Sequence, residues 1–259
     1  MLSASNMALP SPVSSYPDPS TRPTTILLLP SFTLIDDVTP TSVPQLITHH
    51  ISSAPTTTTQ LLPPTFPSPD PSSPRSSAPS PSPSLTPPLP EALQFTSRPC
   101  PHKALILLCS QRTRDARCGQ SAPLLRREFE RHLRPLGLYR DIHDERPGGV
   151  GIYFISHVGG HKFAANVMVY RRAGAFESVS NGGSVDGERT NMEKLNGEKK
   201  KDGKNQGAMG EASQGIWLAR VRPEDCEGIV KFTVLKGKVV KPERQLRGGF
   251  DRERGLVSW

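Results

Sequence analysis

ALILLCSQRTRDARCGQSAPLLRREFERHLRPLG, residues 104–137, is the stretch on which the fold turns. Ala104 to Leu108 is an unbroken apolar run of strand length, the pattern of a strand buried on both faces. A loop is expected from Cys109 to Ala122. Pro123 then suits the first turn of a helix, where its missing N–H costs nothing. Leu125, Phe129, Leu133 and Leu136 follow at spacings of four, four and three, which places them on one helical face. Gly137 suits the helix end. The stretch therefore predicts strand, loop and amphipathic helix in that order.

Further along, Gly148-Gly149 precede a second apolar run, Val150 to Ser156, and a third strand is expected over Ala164 to Arg171. Residues 173–213 are rich in Gly, Asn, Lys and Glu without periodicity and read as a disordered insertion. A fourth strand is expected over Gly215 to Val221. Pro223-Glu224-Asp225 then opens a helix, with acids in the first turn, and this helix runs to about Leu235 and stops near Gly237. The order β, α, β, β, β, α is compatible with a thioredoxin-like α/β domain and equally with other α/β sandwiches.

Towards the N-terminus the composition changes. Of 28 prolines, 22 fall in residues 1–100. Residues 1–23 are expected to be disordered. Residues 24–50 supply strand material broken at Pro30 and a short helix over Val43 to Ile51, a candidate edge of the domain. Residues 51–97 form a linker, because 29 of the 40 residues from 51 to 90 are Pro, Ser or Thr and cannot bury enough apolar surface to offset ordering entropy. The folded domain is assigned to residues 98–259.

Charge divides at the same place. Residues 1–100 carry 3 Lys/Arg and 5 Asp/Glu, whereas residues 101–259 carry 29 and 19. The basic excess lies in Arg-rich helix and loop segments with no interleaved aromatics, so no nucleic-acid partner is expected. No apolar run approaches the length of a membrane span, and the first 22 residues lack the repeated basic residues of a mitochondrial presequence. Four cysteines are too few for a secreted disulfide scaffold.

Two motifs carry the chemistry. Cys109 and Cys118 bracket the loop after the first strand, and His157-Val-Gly-Gly-His161 follows the second. Both pairs sit at strand ends, where α/β sheets place functional loops. Two thiolates and two imidazoles are a sufficient metal-ligand set, and Gly159 and Gly160 let the second loop bend. Three readings remain open on residue grounds. A structural zinc site fits His-x3-His, but its cysteines are usually two to four residues apart. A cysteine enzyme would want Cys-x-x-Cys, or an arginine where Asp115 stands. A [2Fe–2S] cluster accepts two Cys and two His.

The stretches CSQRTRDARCGQSAP, HVGGHKFAANV and GIWLARVRPED…LRGGFDRERG resemble the sucrase/ferredoxin-like family, and within it the fungal altered-inheritance-of-mitochondria type. The similarity covers about residues 98–172 and 214–259, with a weaker echo at 24–50. The resemblance implies a thioredoxin-like ferredoxin fold, a [2Fe–2S] cofactor held by Cys109, Cys118, His157 and His161, a redox partner protein and a mitochondrial location, with the cytosol as alternative. It implies an electron carrier rather than a stand-alone enzyme; the alternatives are a zinc-stabilised adaptor on the same four residues and a thiol oxidoreductase. Val257-Ser258-Trp259 resembles the aromatic-ended tails that recruit iron–sulfur assembly machinery, against the plainer expectation of an aromatic packed on the domain. Arg112, Arg114 and Arg117 are candidates for tuning the reduced state, against solvent exposure or pairing with Asp115. Cys100 is expected to be a free thiol at the linker edge, and Cys226 and Trp217 are expected in the core.

Overall fold

The computed structural model describes residues 2–9, 16, 18, 21–61, 95–156, 158–176 and 210–258. Most of the Pro/Ser/Thr-rich linker and of the internal insertion, together with Trp259, lies outside the described residues. The fold is mixed α/β. Strands β1 (Thr24–Leu28), β2 (Thr33–Val38) and β3 (Thr96–Pro99) form a small antiparallel sheet. The large sheet holds β4 (Ala104–Cys109), β5 (Tyr139–Arg140), β6 (Val150–Ile155), β7 (Val167–Arg172), β8 (Ala212–Leu218), β9 (Leu246–Asp251) and β10 (Leu256–Ser258). Its order is β10-β9-β8-β7-β4-β6-β5.

At the centre, β4 pairs in parallel with β6 and antiparallel with β7, and β7 pairs antiparallel with β8. Helix α2 (Ala116–Leu133) makes the crossover from β4 to β6, and α1 is the short Val43–Leu46 turn. This β-α-β unit followed by two antiparallel strands and a closing helix is the thioredoxin-like arrangement that the order of elements allowed. Every residue of β4 is buried, as its unbroken apolar run requires.

The closing helix begins as a turn at Pro223–Asp225, becomes α3 (Cys226–Gly228) and widens into π-helical turns over Ile229–Val234. The buried Arg171 guanidinium donates to the carbonyls of Val234 and Leu235 at 2.5 and 3.0 Å and so caps the helix end from inside the sheet. A short helix, α4 (Pro242–Gln245), leads into β9.

The sheet separates two apolar layers. On one face, Ile106 and Leu108 of β4 pack with Leu125, Phe129 and Leu133 of α2 and with Ile229 and Val234 of the closing helix. Burying three such side chains on α2 contributes about 1.5–3 kcal/mol each. On the other face, Leu105, Leu107, Tyr153 and Met168 pack with Phe32 of the β1–β2 turn and Leu34 of β2. The 24–50 segment therefore covers a face of the large sheet instead of extending its edge. Arg172 ties the two sheets: it donates to the Cys100 carbonyl at 2.6 Å and lies 4.7 Å above the Phe32 ring.

Several elements depart from expectation. Helix α2 starts at Ala116, seven residues before Pro123, and ends at Leu133, so Leu136 is 44% exposed. Strand β8 starts at Ala212, three residues early, and β3, β5, β9 and β10 were not foreseen. Ser5, in the segment expected to be disordered, bridges Ile155, and Ser156 N–H donates to the Ala4 carbonyl at 2.8 Å. Cys226 is buried as expected, while Cys100 is also buried.

Candidate metal centre

Cys109 is the last residue of β4, and Cys118 lies in the first turn of α2. Both are essentially inaccessible, at 1% and 0% exposure, in the apolar layer between the two sheets. Local chemistry brings them together. Asp115 caps the helix by accepting from Arg117 N–H at 3.0 Å, which starts the helix early enough to place Cys118 within it. Gly119 permits the loop to fold back: a Cβ there would sit 2.5 Å from the Cβ of Arg112. The Cys118 thiol lies close enough to Cys109 to perturb its ionisation.

Burial is the main reason that the Cys109 thiol is pushed up to about 12, and the neighbouring Cys118 adds to it, while the Val158 N–H pulls the other way. That N–H donates to Cys109 Sγ at 3.5 Å. Asn166, 1% exposed, fastens the same corner twice. Its carbonyl accepts from Cys109 N–H at 3.1 Å, and its Nδ2 donates to the Val158 carbonyl at 2.7 Å. Asn166 and Val158 thus tie the strand end that carries Cys109 to the loop between the two histidine positions.

Gly159 has φ +80°, a conformation costly to any residue with a Cβ, and a Cβ there would meet Trp217 and Asn166 at 3.1 and 3.2 Å. Gly160 caps the short turn His161–Phe163. His157 lies outside the described residues, and His161 is described by its backbone alone. The structure brings together Cys109 and Cys118 and sets the backbone of the histidine loop against Cys109. Among the described residues no cluster of three His, Cys, Asp or Glu side chains is formed.

Of the three arginines between the cysteines, Arg112 and Arg114 are exposed, and Arg117 pairs with Asp115 at 3.0 Å. Trp217 is half-buried: it packs against the apolar layer that holds the cysteines, as expected, and also lines a cleft. Asn166, Val158 and Gly119 had no signature in the sequence beyond their nearness to the two motifs.

The donor chemistry suits a metal centre. Turning both thiols into thiolates inside an apolar layer is expensive without a cation beside them, and a metal supplies that charge. The Val158 N–H aimed at a cysteine sulfur is the kind of outer-shell hydrogen bond that orients and tunes such ligands.

A family model described as sucrase/ferredoxin-like matches residues 1–248. Among curated relatives, actin patches distal protein 1 of Saccharomyces cerevisiae is 54% identical over 70 residues, 27% of this chain and 22% of that protein. Altered inheritance of mitochondria protein 32 of Clavispora lusitaniae is 29% identical over 140 residues, 54% of this chain and 33% of that protein. Its counterpart in Debaryomyces hansenii is 31% identical over 139 residues, 54% of this chain and 34% of that protein. The chain thus spans about a third or less of the length of these relatives. No solved structure matches.

Proposed function

The chain belongs to the sucrase/ferredoxin-like family, and from that premise we propose that it is an electron-transfer or redox-sensing protein holding a [2Fe–2S] cluster on Cys109, Cys118, His157 and His161. The observation that supports the reading is that Cys109 and Cys118, nine residues apart in sequence, meet in one buried apolar layer, with the Val158 N–H directed at the Cys109 sulfur. Bound there, the cluster would supply reversible one-electron chemistry.

The residues set its character. Two thiolates and two neutral imidazoles contribute two negative charges, where four cysteines would contribute four. With these four ligands an oxidised cluster would be neutral, where four cysteines would leave two negative charges, so it would accept an electron at lower cost and higher potential. Histidine ligands would keep an outer nitrogen able to carry a proton, which would link the potential to pH. The two sheets keep water from Cys109 and Cys118. A redox protein partner is required to exchange the electron, iron–sulfur assembly machinery to load the site, and a mitochondrial setting follows the relatives' names.

The thiol contact also favours a second reading, dithiol–disulfide chemistry between Cys109 and Cys118. Burial weighs against it, because reactive cysteines need access to solvent and a lowered thiol pKa.

Anaerobic purification with an absorption spectrum and metal quantification tests the proposal. A coloured protein with about two irons per chain, lost in Cys118→Ser and His157→Ala, is the expected result. One zinc per chain in a colourless protein would make the four residues a structural site. A metal-free protein that forms a reversible Cys109–Cys118 disulfide would select the dithiol reading.

A further inference from the structure

Strand β6 is only partly covered on its outer edge. β5 pairs with it at Val150 and Gly151, whereas β4 runs beside it as far as Ile155 on the other side. Beyond Gly151 no strand of the large sheet lies on the outer side among the described residues. Residues 3–6 take that place. Asn6 N–H donates to the Phe154 carbonyl at 3.2 Å, and Phe154 N–H donates to Asn6 Oδ1 at 2.7 Å. Ser156 N–H donates to the Ala4 carbonyl at 2.8 Å, and Ala4 N–H donates to Ser156 Oγ at 3.2 Å. The Ser3 and Ser156 hydroxyls lie 2.8 Å apart, and Ser5 bridges Ile155 in the antiparallel sense.

The segment is lightly anchored. Ser5 Oγ accepts from Met7 N–H at 3.3 Å, and Met7 packs against the apolar layer that holds Cys109 and Cys118. Leu2 and Leu9, on either side, are 94% and 42% exposed. A few hydrogen bonds of modest net worth and one apolar anchor are set against the ordering entropy of the segment. Such a segment opens far more readily than the strands beneath it. Its bonds converge on Ser156, the residue before the histidine loop. The same strand end is held on its other side by Ser110, the neighbour of Cys109, which donates to the Ile155 carbonyl through N–H and Oγ at 3.0 and 3.1 Å. Two residues after Ser156, the Val158 N–H points at Cys109 Sγ.

We propose that residues 3–7 are a strap that closes the outer edge of β6 and, through Ser156, holds the loop of residues 157–161 against Cys109. Closed, the strap and Ser110 clamp the strand end from both sides, and the Val158 N–H stays aimed at the sulfur. Open, the strand end keeps only the Ser110 side and the loop is freed to move. Opening breaks bonds made by backbone groups and short polar side chains and uncovers little apolar surface beyond Met7, so it needs no wider unfolding. The control this gives over metal retention rests on the reading of His157 and His161 as ligands; the strap itself rests on the hydrogen bonds alone.

The test uses the full chain, metal-free for NMR-resolved amide exchange and zinc-loaded for release to a chromophoric chelator. Asn6→Pro removes both the N–H and the Oδ1 that bind Phe154. It should speed exchange at Phe154, Ser156 and Val158 at least about tenfold, with Leu107 of β4 and Phe129 of α2 unchanged. Asn6→Ala, which loses Oδ1 alone, should give a smaller rise at the same three amides and carries the comparison if Asn6→Pro fails to fold. Zinc should leave the Asn6→Pro chain several-fold faster than the unaltered one. Faster exchange at Phe154 and Ser156 but not at Val158 would overturn the link to the loop. Equal acceleration at Leu107 and Phe129 in both variants would overturn the strap as a local device. Zinc release at an unchanged rate despite faster exchange would overturn its control of the metal site. A chain that takes up no zinc while Val158 still responds would count against the ligand reading and leave the strap standing.

Discussion

His102 shows how one side chain can set the acid limit of this fold. It is 2% exposed, its Nε2 lies 3.2 Å from the Tyr153 hydroxyl, and it packs on Gly151, where a Cβ would take its place. Burial first, and the Arg140 guanidinium second, hold it down to about 4 from an ordinary 6.5. The unfolded chain therefore binds this proton more readily than the folded one below pH 6.5. The stability that His102 protects is complete above that pH and is lost as pH falls towards 4, by up to about 3 kcal/mol. Denaturant melts between pH 7 and 4 should show this loss, and His102→Gln should flatten it. Cys109 makes the opposite statement: with its thiol at about 12, iodoacetamide at pH 8 should label it at least about a hundredfold more slowly in the metal-free folded chain than in the unfolded one. Cys109 itself was legible because it ends an apolar strand. Asn166 was not, because an asparagine between Ala165 and Val167 has no local role, and its bonds run to residues brought near only by the fold.

Helix α2 is the element where local signals competed. Pro123 marks a helix start in most sequences, yet here it is the eighth residue of an eighteen-residue helix. The cap at Asp115 wins: it satisfies an early N–H and anchors Arg117 through both its Nε and NH2 groups. The proline gives up one bond, to the carbonyl of Gly119, at a point where the sheet already holds the helix through Leu125 and Phe129. Asp115→Ala should cost about 1 kcal/mol in thermal or denaturant melts, and it should lower metal content per chain more than that loss alone explains, because the cap sets where Cys118 stands. Phe129→Ala, far from the cysteines on the other face, should cost about 3–5 kcal/mol while leaving the metal content of the folded fraction unchanged. The strands that escaped the sequence reading share one cause. In β9 the residues Leu-Arg-Gly-Gly-Phe-Asp hold two glycines, which argue against a strand locally, yet the Phe250 ring lies where a Cβ on Gly215 of β8 would stand. The strand is specified by its neighbour, not by its own propensity.

Across the whole molecule, the central β-α-β-β-β-α order was readable because each piece is local and strongly patterned. The three-layer arrangement was not, because the small sheet depends on pairing β2 with β3 across the long Pro-rich segment. Arg172 is the test of that layering. It is 5% exposed, bonds the Cys100 carbonyl and sits over Phe32. Arg172→Met keeps much of the side-chain volume but leaves that carbonyl without its donor, and should destabilise the protein by about 1–3 kcal/mol. Hydrogen exchange should rise first in β2 and β3, with α2 and β4 less affected; uniform acceleration would mean that the two sheets unfold as one unit.

The antiparallel pairing of Thr33–Asp36 with Thr96–Pro99 also has a meaning in time. Asp36 and Arg98, joined at 2.6 Å, are 62 residues apart in the chain, whereas β4, α2 and β6 follow one another closely. Contacts so distant in sequence carry a large loop-closure cost and are made late. The apolar layer that holds Cys109 and Cys118 is therefore the last to be sealed in a newly made chain, and before sealing both sulfurs are open to solvent.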